Sequence, residues 1–293
     1  MDFSTETRRQ AIWGTDARKI AAGKSDEVYA EKVGLMERPD LSDNEAAQWG
    51  LKLQDAIGRE VSARLQLNLK EADYALEHPN HPWMRSHFDF ISEDNQTLVE
   101  VKNYHFLKRN LFAESMMPAE DRAQCIHEAA VHSVNRVILA VLFGGQELHM
   151  IDLAVSDADK DELIRTESKV WAAVQTQTPP DASSPQLARI LHPTNSQELC
   201  IADARLEQMC AALRTVKDQI KILEAKEKEL SSSIQSQMRS HGTLATFDGR
   251  VLATWLQAKP SMSFDRELLQ KTNPSLYQSY IKEIPGTRRF LLK

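Results

Sequence analysis

Asp89, Glu100 and Lys102 are the residues whose types and spacing could do chemistry. They lie in residues 83–106, WMRSHFDFISEDNQTLVEVKNYHF. Polar residues 92–96 separate two short apolar runs, 88–91 and 98–101, which predicts a β-hairpin with Asp89 on its first strand and Glu100 and Lys102 on its second. Side chains alternate along a strand, so Glu100 and Lys102 share one face and Val101 points to the other. With Asp89 opposite, two carboxylates and an ammonium converge. Two carboxylates with water suit a hard divalent cation such as Mg²⁺, and a lysine beside that ion can orient or help deprotonate an attacking water. An E-x-K pair alone is more often a solvated strand face. The weight therefore rests on Asp89 and on the rest of the chain.

The elements that must position these groups follow from periodicity. Residues 44–69 carry Trp49, Leu53, Ala56, Ile57, Val61 and Leu65 at helical spacing, with Gln54 beside the stripe. A helix over 119–133 carries Gln124, His127 and His132. The continuous apolar run 136–143 predicts a strand buried on both faces, with 147–155 as its partner. A helix over 157–177 follows, and residues 78–82 (HPNHP) are expected to be a loop. Near the start, Thr15 or Asp16 is placed to cap a helix over 17–22 that stops at Gly23. A helix N-terminus with a hydroxyl, next to Arg8, would make an anion site, although an ordinary capped surface helix fits the same residues. The fold class expected is α/β or α+β, a mixed sheet flanked by helices.

The segment 178–186, TPPDASSPQ, has the composition of a linker. Beyond it Leu206, Leu213, Ile220 and Ile234 take one heptad position and Met209, Val216, Leu223 and Leu230 the other, with Glu227 interrupting the first series. That pattern predicts a coiled-coil helix, whose partner is the same helix of another subunit or a helix of the first domain. A hairpin over 243–247 and 251–256 with an Asp248-Gly249 turn, a short helix over 265–282 and a basic tail complete the chain. The expected division is a domain over 1–180, a linker over 181–199 and an extension over 200–293.

Composition narrows the classes. Of 293 residues, 42% are hydrophobic and 27% charged, an ordinary water-soluble balance. No apolar run approaches the ~20 residues of a membrane span, and MDFSTETRRQ lacks the apolar core of a signal peptide. Cys125, Cys200 and Cys210 are odd in number and have no metal-ligand spacing, so a reduced, cytoplasmic compartment is expected and a zinc site is not. A net charge of −6 excludes indiscriminate coating of nucleic acid while leaving room for a local basic channel.

Several of these features fall in one order: Arg8 with Trp13-Gly14-Thr15-Asp16, Tyr29-Ala30-Glu31-Lys32-Val33-Gly34, Trp49-Gly50 on a helix, HPWMRSHFD, LVEVK, and Ala123-Gln124 before an apolar strand ending in Gly144-Gly145. Over about residues 1–177 the chain resembles the YqaJ-like viral recombinases, the phage-type exonucleases that include the lambda exonuclease, within the PD-(D/E)XK nuclease superfamily. The resemblance implies a restriction-endonuclease-like core and a 5′-to-3′ exonuclease on linear double-stranded DNA. Its 3′ overhangs would serve a single-strand annealing protein in recombination, in the cytoplasm of a bacterial or phage-infected cell. By the same resemblance Asp89, Glu100 and the Val101 carbonyl are metal ligands, for two Mg²⁺ ions that Mn²⁺ could replace. Lys102 is the catalytic lysine, Gln124 lines the site with His127 nearby, and Arg8 and Thr15 grip the 5′-phosphate. A homo-oligomeric ring, a trimer or tetramer, is implied with DNA threaded through it. The chain departs from the family pattern at Phe88 and Phe90 and at Gln54, where a metal-linked Glu often stands. Gln54, counted among the site residues, would hold a metal through its carbonyl oxygen or a bound water, with one negative charge fewer. Two other readings fit the residues: an endonuclease or repair nuclease of the same superfamily, and a non-catalytic DNA-binding assembly protein.

Overall fold

The computed structural model describes residues 5–72, 74–284 and 286–293. The chain forms two compact units, Met1–Pro193 and Thr194–Lys293. The first begins with α1 (Thr5–Arg9), β1 (Ile12–Trp13), α2 (Gly14–Ala21), α3 (Ser25–Lys32) and α4 (Glu45–Leu65). Five strands follow, β2 (Leu69–Glu71), β3 (Leu76–His78), β4 (His81–Ser86), β5 (Phe90–Ser92) and β6 (Thr97–Tyr104). A 3₁₀ segment (Phe106–Ser115) leads to α5 (Ala119–His132), β7 (Arg136–Phe143), β8 (Glu147–Ala154), α6 (Asp157–Thr176) and α7 (Pro185–Leu191).

The central sheet has the order β2-β5-β6-β7-β8. Only β6 and β7 run parallel; the other pairs are antiparallel. The expected hairpin is β5–β6, with Phe90 opposite Val99 and Ile91 opposite Leu98. Alternation sorts the side chains onto two helices. Leu98, Leu139 and Val141 pack with Cys125, Ile126 and Ala129 of α5, whereas Val99, Ile138 and Ala140 pack with Ile57 and Val61 of α4. The sheet is thus covered on both faces, and β7 is apolar throughout because it has no solvated side. On the α4 side the backbone comes very close: a methyl group at Gly58 would stand 2.4 Å from the Phe90 ring.

A second sheet, β1-β4-β3, was not expected. The segment read as a loop, residues 78–82, is instead the tight turn of the β3–β4 hairpin, with the His78 and His81 rings 4.8 Å apart. Its prolines masked it. Pro82 is tolerated because β1 pairs with β4 only at Met84 and Arg85, beyond the proline.

The expected linker is also partly structured. Ser184 caps α7 by accepting from the Leu187 N–H, Pro185 takes the first turn, and Leu187 and Leu191 are buried, Leu191 against Tyr29 and Ala30 of α3. Ser-Pro reads as linker composition, yet it is also a helix-start signal. The first unit therefore runs on to Pro193.

The second unit contains α8 (Ala204–Met238), β9 (Thr243–Ala245), β10 (Val251–Thr254), α9 (Arg266–Thr272) and α10 (Pro274–Ser279). The single helix expected over 265–282 is two, because Pro274 removes a backbone donor and starts a new helix. Asp203 caps α8, which is 35 residues long and buries only Met238. Among the described residues, no helix is long and apolar enough to cross a membrane.

Candidate active site

Asp89 immediately precedes β5 rather than lying within it. Beyond Phe90 and Val99 the hairpin ladder ends, so the β5-side edge of β6 lacks a strand partner there. The Asp89 side chain takes its place: its Oδ2 accepts the Val101 N–H at 2.7 Å. The N–H and C=O of one residue project to the same side of a strand, so the Val101 carbonyl faces Asp89 too. One residue on either side, Glu100 and Lys102 project from the opposite face, toward α5.

There the acids are held in a network. Lys102 Nζ donates to Glu100 Oε1. The amide of Gln124 on α5 donates to Glu100 Oε1 at 2.6 Å and to Glu128 Oε1 at 2.8 Å. Gln124 Oε1 in turn accepts from Arg18 on α2 at 3.4 Å, and Arg18 is fixed by Asp121 and by the Tyr104 hydroxyl at 3.0 Å. Tyr104 donates to Asp121 at 2.7 Å. The sequence did not single out Arg18, Tyr104, Asp121 or Glu128. Glu128 stands four residues after Gln124 and so shares its helix face, the one signal available beforehand.

Burial and charge strain this cluster. Burial, and then the neighbouring Glu100 charge, push the Asp89 carboxyl up to about 8, even though the Val101 N–H opposes the shift. Burial works against the Lys102 ammonium, but the Glu100 carboxylate outweighs it and raises the lysine above its ordinary value. Glu128 is fully buried, and burial followed by Glu100 holds its carboxyl well above the usual range; its Oε2 has no hydrogen-bond partner. Three acids thus crowd one ammonium, a donor set that fits added positive charge. Asp89, Glu100 and the Val101 carbonyl would hold a divalent cation, with water completing its shell. Among the described residues, no three His, Cys, Asp or Glu side chains stand at metal-ligand spacing, so protein groups alone do not close a shell.

The other predicted residues separate into two groups. His127 is a pin rather than a site residue. Its Nδ1 meets both Glu167 oxygens at 3.0 Å and its Nε2 meets the Arg85 carbonyl at 3.0 Å. Both partners are acceptors, so both ring nitrogens donate and the ring is an imidazolium. Burial disfavours that charge, but Glu167 overcomes it and raises the histidine. The pin joins α5, α6 and β4. Gln54 lies half-buried on α4, whose Leu53, Ile57 and Val61 pack on the Val99 and Val101 side of β6, away from the Glu100 and Lys102 side chains.

Arg8 lies in α1 and Thr15 in the first turn of α2, on either side of β1. Trp13 rather than Thr15 or Asp16 is the N-cap, and Asp16 reaches back to accept the Trp13 N–H at 2.9 Å. Asp16 also pairs with buried Lys32, which donates to the Arg8 carbonyl at 2.7 Å. The Arg8 guanidinium sits 4.6 Å from the Trp13 ring centre. A Cβ on Gly14 would meet both Gln124 and Glu128 at 3.2 Å, so α2 starts directly against the glutamine that holds Glu100 and against its second partner Glu128. His87 lies between the two regions. Burial lowers its pKa, Glu100 opposes that shift and Arg8 adds to it.

An acid at a strand edge, an E-x-K on the next strand and a glutamine on the covering helix thus meet over a helix-flanked mixed sheet. Residues 5–135 match the YqaJ-like viral recombinase domain. Across nearly its whole length the chain is 25% identical to the uncharacterized protein YqaJ of Bacillus subtilis, over 98% of this chain and 92% of that one. Among solved structures it is similar to an alkaline exonuclease from Laribacter hongkongensis, with a TM-score of 0.49, 13% identity, and 58% of this chain and 91% of that chain covered. A phage-related exonuclease from Haemophilus somnus aligns with a TM-score of 0.45 and 11% identity, over 59% of this chain and 95% of that chain.

Proposed function

We propose that this protein is a divalent-cation-dependent exonuclease that degrades one strand of linear duplex DNA from its 5′ end, leaving 3′ overhangs for recombination by strand annealing. The observation that carries the reading is the convergence of Asp89, the Val101 edge, Glu100 and Lys102, with Gln124 bracing Glu100 from α5. Bound Mg²⁺ or Mn²⁺, held by Asp89, Glu100 and the Val101 carbonyl, would offset the charge that builds on the phosphate and the leaving oxygen. The chain's own groups do the rest. Lys102 stays protonated beside Glu100 and orients the attacking water and a phosphate oxygen. Gln124 keeps the Glu100 carboxylate turned toward the site. Arg8 and Thr15 seat the terminal phosphate and so fix which bond lies over the acids.

The protein acts, on this reading, as a ring of three or four copies with an annealing protein as its partner. The heptad helix α8 pairs with the same helix of another copy. End-labelled linear duplex compared with a closed circle tests the exonuclease: the linear form is digested with Mg²⁺ and the circle survives. Cutting of the circle would point to an endonuclease. Absence of Mg²⁺-dependent nucleotide release would favour the non-catalytic reading, for which the neutral Gln54 is the motivating residue.

A further inference from the structure

We propose that Arg38 is a second guanidinium of the terminal-phosphate pocket and sets the preference for a phosphorylated 5′ end; the inference rests on the 5′-end reading above. Arg38 follows α3 in the loop that Gly34, at φ +77°, turns back toward α1. Its Nη2 donates to the Thr15 hydroxyl at 3.5 Å. Its Nη1 is buried and has no acceptor. A buried donor left unmade is costly, more so when it carries charge, so this nitrogen calls for an acceptor from outside the chain.

The surroundings show which kind. The Arg8 pKa is lowered by burial and next by the charge of Arg38, so two guanidinium groups stand close enough to repel. Arg8, Arg9 and Arg38 line one narrow cleft together with Lys32, Glu31 and Met36. The two acids within reach each pair with a lysine through one oxygen, Asp16 with Lys32 and Glu31 with Lys19, and Asp16 Oδ1 and Glu31 Oε2 stay buried without a hydrogen-bond partner. Five cations, Arg8, Arg9, Lys19, Lys32 and Arg38, still stand against these two acids, so the cleft attracts a compact anion with several acceptor oxygens. A terminal phosphate monoester supplies close to two charges and three such oxygens. An internal phosphodiester supplies one charge, and a 5′-hydroxyl none. Thr15 hydrogen-bonds Arg38 and begins the helix that abuts Gln124 and Glu128, so a phosphate held here lies beside the acid centre.

The test uses two linear duplexes identical except for a 5′-phosphate or a 5′-hydroxyl, with kcat and KM measured for wild type, Arg38→Ala and Arg38→Lys. Wild type is expected to prefer the phosphate. In Arg38→Ala the phosphate-to-hydroxyl ratio of kcat/KM falls about tenfold or more, the loss of a charge-assisted hydrogen bond, mainly through KM. Arg38→Lys restores part of it, since lysine keeps the charge but not the fork. Metal-free binding of the same duplexes, by fluorescence anisotropy, is expected to lose the same preference. A wild-type preference that Arg38→Ala leaves intact overturns the role of Arg38 alone. A wild type indifferent to the phosphate overturns that role and the 5′-phosphate reading together.

Discussion

The two units use apolar residues in opposite ways. The first gathers them into interlocking clusters on both faces of a sheet, so that Val99, Ile138, Ile57 and Val61 are all at most 4% exposed. The second leaves Leu206, Met209, Val216, Ile220, Leu223, Leu230 and Ile234 between 41% and 67% exposed along one helix. Every buried charged side chain among the described residues also lies in the first unit. Local terms on α8, such as the Asp203 cap and the Lys226–Glu229 pair, are worth only about 0.3–1 kcal/mol each. A long helix draws most of its stability from packing an apolar face. The first unit therefore encodes its own core and a cluster braced by that core, while α8 carries a row of apolar residues that this chain leaves exposed.

If that division is right, the two units fail differently. Lys102→Ala removes the ammonium beside Glu100 and should lower nucleotide release from linear duplex by about 10²–10³-fold, with mass in solution by light scattering unchanged. A variant that also changed assembly would merge the two roles. The converse change is Ile220→Lys with Leu223→Lys, which puts two charges into the heptad seam. It should lower the mass in solution and the helix content by circular dichroism, while Mg²⁺-dependent hydrolysis persists. Unchanged mass would sink the pairing of α8.

Within the first unit, α4 offers an internal contrast. Gly58→Ala would drive a methyl into the Phe90 ring and should destabilise the protein by about 1–3 kcal/mol. Gly50 lies on the same helix with nothing within 4 Å of an added Cβ, so Gly50→Ala should stabilise by about 0.5–1 kcal/mol. Thermal melts of both variants decide it. Equal effects would mean that the α4–sheet contact is looser than its spacing implies.

How much of this was legible beforehand depended on the range of the interaction. The β5–β6 hairpin, β7 and the heptads of α8 are short-range patterns, and each was read from period and turn residues. The meeting of Asp89, Glu100 and Lys102 followed from alternation plus one turn, and Gln124 from the resemblance. What was missed depends on contacts distant in sequence. Glu128 matters because α5 folds over β6, Arg18 because α2 packs on α5, and Arg38 because a loop returns to Thr15. His127 resembled a site residue by proximity in sequence, yet its rotation about the helix points it to Glu167. The β3–β4 hairpin and α7 were hidden by prolines whose meaning depends on what lies beside them.

The most direct probe of the buried acids is the pH dependence of stability. The Asp89 carboxyl titrates at about 8 in the folded chain, against an ordinary value of 3.8, because burial and Glu100 disfavour its charge. The folded state then holds a proton that the unfolded state releases at lower pH. The stability contributed by this group is fully present below about pH 4 and is lost as pH climbs through 8. Metal-free wild type should therefore lose stability relative to Asp89→Asn as pH rises from about 5 to about 8, measured by urea unfolding in chelator. Cation binding competes with the same proton. Calorimetric titration of Mg²⁺ in buffers of differing ionisation enthalpy should thus show up to one proton released near neutral pH, and less above the carboxyl's own value. A stability gap that widens in the other direction, or cation binding without proton release, would mean that Asp89 is ionised in the free protein and that the crowding of the three acids is relieved by other means.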